Sequence, residues 1–270
     1  MAPAPTTRPM TSPIQSEPRT GHQLYHAATF SHRDAWILTI SSICAIYGFQ
    51  ITLVSFGVTD IAATAVGFSV VIAALVLSGR LRGFAAIGLR RPAPRFLLAG
   101  FLFGISVWFI ALRIVMLVHA PGDTSRIEGV IEKTGLMPTL LVIALMPAIA
   151  EEMVFRGVLA RALAVRWSTG VAIVASSLLF GAYHLWPPVQ MMSTFLLGLG
   201  FAFVALQARS AVPSMIAHAT NNTIVLLIAR REIPALERWI TIHPITTLSL
   251  CLIALACGLA LAAKPGEPAA

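Results

Sequence analysis

The chain has 270 residues, of which 57% are apolar and only 11% charged, with a formal net charge of +8. Mean hydropathy is +0.83. A soluble globule carries about 25% charged residues, so this composition excludes soluble enzymes, nucleic-acid binders, disordered chains and disulfide-stapled secreted domains. It requires a protein embedded in the lipid bilayer. Cys44, Cys251 and Cys257 all sit within apolar runs and lack metal-ligand spacing, so they read as small buried hydrophobes.

Residues 1–35 are rich in Pro, Thr, Ser and His without an apolar run, the pattern of a disordered cytoplasmic tail. His22, His26 and His32 are too irregularly spaced for a metal tract. A transmembrane bundle is expected over 36–263, with spans at 36–58, 61–79, 96–118, 137–160, 170–186, 189–208, 211–229 and 245–263. Each matches a bilayer core of about 30 Å at about 1.5 Å per residue. The predicted fold is therefore all-α, a polytopic bundle of about eight spans, and residues 264–270 form a short cytoplasmic tail.

Arg80, Arg82, Arg90, Arg91 and Arg95 crowd the connection after the second span, which the positive-inside rule makes cytoplasmic. Alternation then puts Arg8, Arg19, Arg33, Arg161, Arg166, Arg209 and Lys264 on that side, and leaves Arg126, Lys133, Arg230, Arg231 and Arg238 opposite. Both termini are expected in the cytoplasm. The Arg-over-Lys bias and short loops suggest a bacterial-type inner membrane. No loop can hold a folded domain, so the chemistry is expected inside the helices.

An ionisable side chain at bilayer depth costs at least about 2.5–3.5 kcal/mol and marks a functional candidate. Glu151 and Glu152 stand side by side in the fourth span, with Arg156 four residues on. Glu152 and Arg156 share a helix face and can pair. Glu151 points about 100° away and stays free for a cavity, where poor solvation suits a carboxylate to general-base work. Pro147, lacking an N–H, frees a carbonyl and bends the helix beside it. Phe180 and His184 lie on the fifth span, behind Ser176 and Ser177, and His218 and Asn222 share one face of the seventh. Each element alone has a plainer reading: a hydrogen-bonded core His, an interhelical Asn, or an ion-pair lock or proton relay.

Together, Glu151-Glu152-x-x-x-Arg156, Phe180-x-x-x-His184 and His218-x-x-x-Asn222, in this order on separate spans, resemble the CAAX-processing and bacteriocin-processing (Abi) family of intramembrane endopeptidases. The resemblance covers about residues 80–225, including Gly88-Leu89-Arg90-Arg91-Pro92, and leaves out the N-terminal tail. It implies a catalytic cavity within the membrane, with Glu151 activating water, His184 orienting it, and His218 and Asn222 stabilising the oxyanion. Glu152, Arg156 and Phe180 would support them. Two mechanisms stay open: a zinc ion on His184, His218 and Glu151, or a metal-free glutamate protease. The implied partners are the lipid bilayer and a membrane-associated protein or peptide substrate, with no nucleic acid; prenylated C-termini are the minority reading. The competing functions are a non-catalytic scaffold or bacteriocin-immunity factor, and a proton-coupled transporter. The transporter is disfavoured because the halves show no repeat and no matched pair of broken helices.

Overall fold

The computed structural model describes residues 30–118, 129, 133–185 and 187–265, all helix and connection with no strand among them. Most of the proposed N-terminal tail, with His22 and His26, lies outside these residues. The helices are α1 (His32–Ser55), α2 (Asp60–Arg82), α3 (Pro94–Leu117), α4 (Leu136–Arg166), α5 (Thr169–Tyr183), α6 (Pro188–Ala208), α7 (Val212–Ala229), α8 (Pro234–Ile242) and α9 (Pro244–Ala262). Seven of them are long and apolar enough to cross a bilayer. The exception among the expected spans is α5, whose 15 residues reach only ~22 Å. The chain is thus an all-α, multi-pass membrane bundle. Ile51, Phe56, Leu117, Ile245 and Ile253 are exposed, as side chains facing lipid tails should be.

Local chemistry sets the helix ends. Ser31 caps α1 by accepting a hydrogen bond from the Asp34 N–H at 3.1 Å, and Pro sits in the first turn of α3, α6, α7, α8 and α9, where a missing N–H costs nothing. The capping starts α1 at His32, earlier than the span expected from 36. The helix α8 was not anticipated: it is short, has no buried residue, and exposes Leu236, Trp239 and Ile242.

The motif helix α4 is the interior one. Of its apolar window 61% is buried, against 17% for α1. Its turns are not uniform: Leu140–Leu145 and Met153–Ala160 are wound wider, as π-helix, around a central α-helical stretch Met146–Glu152. Pro147 opens that stretch and cannot bond the carbonyl of Ile143, which is consistent with the loosened winding before it. Such widened turns are frequent at functional sites.

Two apolar clusters flank α4. One joins α1, α2 and α5 through Phe68, Leu75, Phe155, Leu159 and Phe180; the other joins α3, α6, α7 and α9 through Phe96, Phe103, Phe201 and Ala217. One end of the bundle gathers the Arg-rich connection. There Arg82 meets Asp34 at 3.7 Å, Arg95 donates to the Lys264 carbonyl at 2.8 Å, and Gln207 donates to the Ala262 carbonyl at 3.2 Å. At the opposite end Arg230 donates to the Thr134 carbonyl at 2.7 Å.

Candidate active site

The two carboxylates of α4 divide their roles as the spacing predicts. Glu152, fully buried, accepts on Oε1 from Arg156 Nη1 at 2.9 Å and from His218 Nδ1 at 3.0 Å. Arg156 is also fully buried; Nη2 donates to the Gly198 carbonyl at 3.3 Å, and the guanidinium lies 4.1 Å from the centroid of Phe180. Desolvated stacking of this kind is worth about 2 kcal/mol. Gly198 allows a close fit here, since a Cβ would lie 3.1 Å from Arg156 Nη2 and 3.1 Å from Ser177 Cβ and press on both. One pair and its neighbours therefore pin α4 to α6 and α7.

Glu151 stands apart from that pair. Its Oε1 accepts from the Tyr183 hydroxyl at 3.3 Å, while Oε2 has no hydrogen-bond partner among the described residues. The nearest basic atom is His218 Nε2, 4.0 Å from Oε2. A carboxylate oxygen can only accept, so the bond to Glu152 places a proton on His218 Nδ1 and directs Nε2 towards Glu151. The imidazole is held flat against Phe201, centroids 5.3 Å apart.

His184 is brought to the same cluster, but not from within a span. It is the C-terminal cap of α5, half-buried, with Nδ1 donating to the Phe180 carbonyl at 2.8 Å. That bond fixes the ring and leaves Nε2 as the outward atom. Phe180 is the hub: its ring meets His184 at 5.0 Å, His218 at 5.9 Å and Phe155 at 5.1 Å between centroids. Ser176 and Ser177 donate to the Ile173 carbonyl and belong to their own helix.

Asn222 has another immediate task. Its Nδ2 donates to the Ile143 carbonyl at 3.2 Å, the acceptor that Pro147 leaves free, and its Oδ1 accepts from Asn221 at 2.9 Å. The opening expected beside Pro147 is therefore bridged by a side chain from α7. One hydrogen of the Asn222 amide remains beyond this bond.

Tyr183 and Tyr47 were missed in the sequence. The Tyr47 hydroxyl on α1 donates to the Tyr183 carbonyl at 2.6 Å, and the rings lie 5.4 Å apart, tying α1 to the end of α5. A tyrosine beside the motif histidine was a usable signal for Tyr183, because a buried hydroxyl usually finds a partner. Nothing in the sequence pointed to Tyr47.

The residues of the expected zinc set, His184, His218 and Glu151, are not gathered into a ligand triad among the described residues. Among the described residues no three His, Cys, Asp or Glu side chains stand close enough to hold a metal ion. His218 and His184 each commit Nδ1 to a carboxylate or carbonyl and keep Nε2 available. No step below is routed through a metal.

Residues 133–224, about a third of the chain, match the family model described as type II CAAX prenyl endopeptidase Rce1-like. This stretch holds every motif residue named above. Across it, the chain is similar to the CAAX-protease family. The match supports, in general terms, an intramembrane protease of the CAAX type. No curated protein and no solved structure matches the chain.

Proposed function

We propose that the protein is an intramembrane endopeptidase that hydrolyses a peptide bond of a membrane-associated protein or peptide, using water activated by Glu151 without a metal. The observation carrying this reading is the 4.0 Å gap between Glu151 Oε2 and His218 Nε2. Two hydrogen bonds of about 2.8 Å span such a gap at an angle of roughly 90°, so one water can bridge both atoms. A separation beyond 3.5 Å between polar groups is where a bridging water belongs.

In the reaction, Glu151 takes a proton from this water as its oxygen bonds to the scissile carbonyl carbon. The carbonyl oxygen becomes the oxyanion, for which the remaining Asn222 amide hydrogen is the donor. Glu151 then returns the proton to the amide nitrogen as the C–N bond breaks, leaving a carboxyl product and an amine. His218 and His184 position water and substrate, and Tyr183 holds the Glu151 carboxylate in place. Glu152 and Arg156 are structural, keeping His218 aimed and α4 anchored. The low polarity of the surrounding helices strengthens each of these electrostatic interactions.

The setting is a plasma membrane of bacterial type. Substrates are drawn from proteins resident in or attached to the bilayer, and prenylated C-termini are one class among them. The test compares protein termini in cells expressing the native chain or Glu151→Gln at equal abundance. Termini that appear with the native chain and vanish with Glu151→Gln support the proposal. Identical termini, with equal biological effect of the two proteins, would count for a scaffold.

A further inference from the structure

The two asparagines of the chain, Asn221 and Asn222, are neighbours on α7, and only Asn222 belongs to the motif. The Ile143 carbonyl fixes how the Asn222 amide must face. A carbonyl oxygen only accepts, so the contact at 3.2 Å is made by Nδ2, and Oδ1 is turned the opposite way. There it accepts from Asn221 Nδ2 at 2.9 Å. The acceptor that Pro147 leaves free thus sets the polarity of a relay from Asn221 through Asn222 to α4. With either amide turned over, two oxygens would face each other.

Packing and bundle stability do not account for Asn221. Successive residues on a helix lie about 100° apart and do not ordinarily face each other, so this bond requires both side chains to lean together. It stays within α7, whereas Asn222 reaches Ile143 and His218 reaches Glu152 on another helix. Asn221 is 4% exposed, and its own Oδ1 is buried without a partner among the described residues. An orphaned buried acceptor costs at least what an ordinary hydrogen bond returns, so stability alone would favour an apolar side chain here. What the Asn221 amide does supply is a donor aimed at the Asn222 oxygen.

We propose that Asn221 is a positioning residue for the oxyanion donor: by bonding Asn222 Oδ1 it locks that amide with its remaining N–H presented to the scissile carbonyl oxygen. This role deepens the peptidase reading, on which the oxyanion duty of Asn222 rests. Asn222 is half-buried, and an amide held at one N–H alone can swing about that bond. Held at both its nitrogen and its oxygen, it cannot. Donors fixed before the charge develops stabilise it without reorganising. Because the oxyanion forms only as the carbonyl is attacked, loss of the lock falls on kcat and spares KM.

One arm of the test needs no turnover. The chain has two asparagines, so full-length protein isotopically labelled at the asparagine side-chain nitrogen shows two amide groups by NMR in detergent micelles. Asn221→Leu leaves Asn222 alone in view. That substitution keeps the side chain's shape and trades one unpartnered oxygen, its own, for that of Asn222, so the midpoint of unfolding should move little. Solvent exchange of the Asn222 amide hydrogens should quicken about tenfold, the equivalent of one hydrogen bond. On a substrate identified by the comparison of termini, kcat should fall about tenfold with KM unchanged. Asn221→Ala, which adds no volume, serves if Asn221→Leu fails to accumulate. An Asn222 amide whose resonance and exchange are untouched overturns the lock. Faster exchange with unaltered kcat, or a fall in kcat matched by a fall in the midpoint, overturns its part in catalysis. If native chain and Glu151→Gln give identical termini, the peptidase reading fails by itself, and the exchange measurement still upholds or overturns the lock.

Discussion

Replacing Arg156 with methionine removes a buried positive charge while keeping an unbranched chain of similar reach. In the native protein the guanidinium sits 2.9 Å from Glu152 Oε1, and neither side chain is exposed. At an effective dielectric near 20, unit charges at that distance attract by about 6 kcal/mol, part of which offsets the cost of burying them. Breaking such a pair from one side costs about 3–5 kcal/mol, because the remaining carboxylate is stranded. His218 Nδ1 would be its last partner from the present pair of donors. Arg156→Met should therefore lose about 3–5 kcal/mol of stability, read by equilibrium denaturation of the detergent-solubilised protein with tryptophan fluorescence. Glu152→Gln should cost a comparable amount, since it strands the guanidinium between the Gly198 carbonyl and the Phe180 ring. The double variant leaves neither charge uncompensated and should recover much of the loss. Independent sites add to within about 0.5 kcal/mol; additivity that close for these two substitutions would refute the ion-pair account of the motif.

Gly157→Ala, whose Cβ meets the Ile87 carbonyl, should cost about 1–3 kcal/mol in the same assay. Gly170→Ala, with nothing within 4 Å of the new atom, should instead stabilise by about 0.4–1 kcal/mol. Tyr183→Phe removes the hydroxyl from Glu151 and should slow cleavage by roughly tenfold, the equivalent of one hydrogen bond of about 1.4 kcal/mol, with folding preserved. Asn222→Ala uncaps the Ile143 carbonyl and should cost about 1–3 kcal/mol in stability as well as cleavage rate. Exhaustive treatment with a chelator should leave cleavage unchanged; inactivation reversed by added zinc would defeat the metal-free mechanism.

Much of this architecture was legible because bilayer burial writes a strong signal. A span must be apolar over about 20 residues, so the helices were found to within a few residues at most ends. The exceptions have physical causes. The helix α8 has only nine residues and no buried face, so hydropathy alone could not separate it from a loop. The fifth span was expected to continue through 186, whereas α5 ends at Tyr183. Apolar character continues through Leu185, past the last turn of α5, and hydropathy does not report where the helical hydrogen bonding stops.

The site shows the same division between local and long-range information. Which of the two adjacent carboxylates is paired followed from helical spacing alone, because residues four apart must be neighbours. What lies opposite each carboxylate depended on how five helices pack. Glu152 meets His218 across 66 positions of sequence, Arg156 meets Gly198 across 42, and Tyr47 reaches the Tyr183 carbonyl across 136. Pro147 makes the point most clearly. Its sequence position announced a broken hydrogen bond, and the expectation was space for water. The structure fills that place with Asn222, so one residue both restores the lost bond and stands one turn along α7 from His218. A motif asparagine with two such duties is constrained twice. Its replacement should disturb the winding of α4 along with the chemistry, whereas Tyr183→Phe should touch only the chemistry.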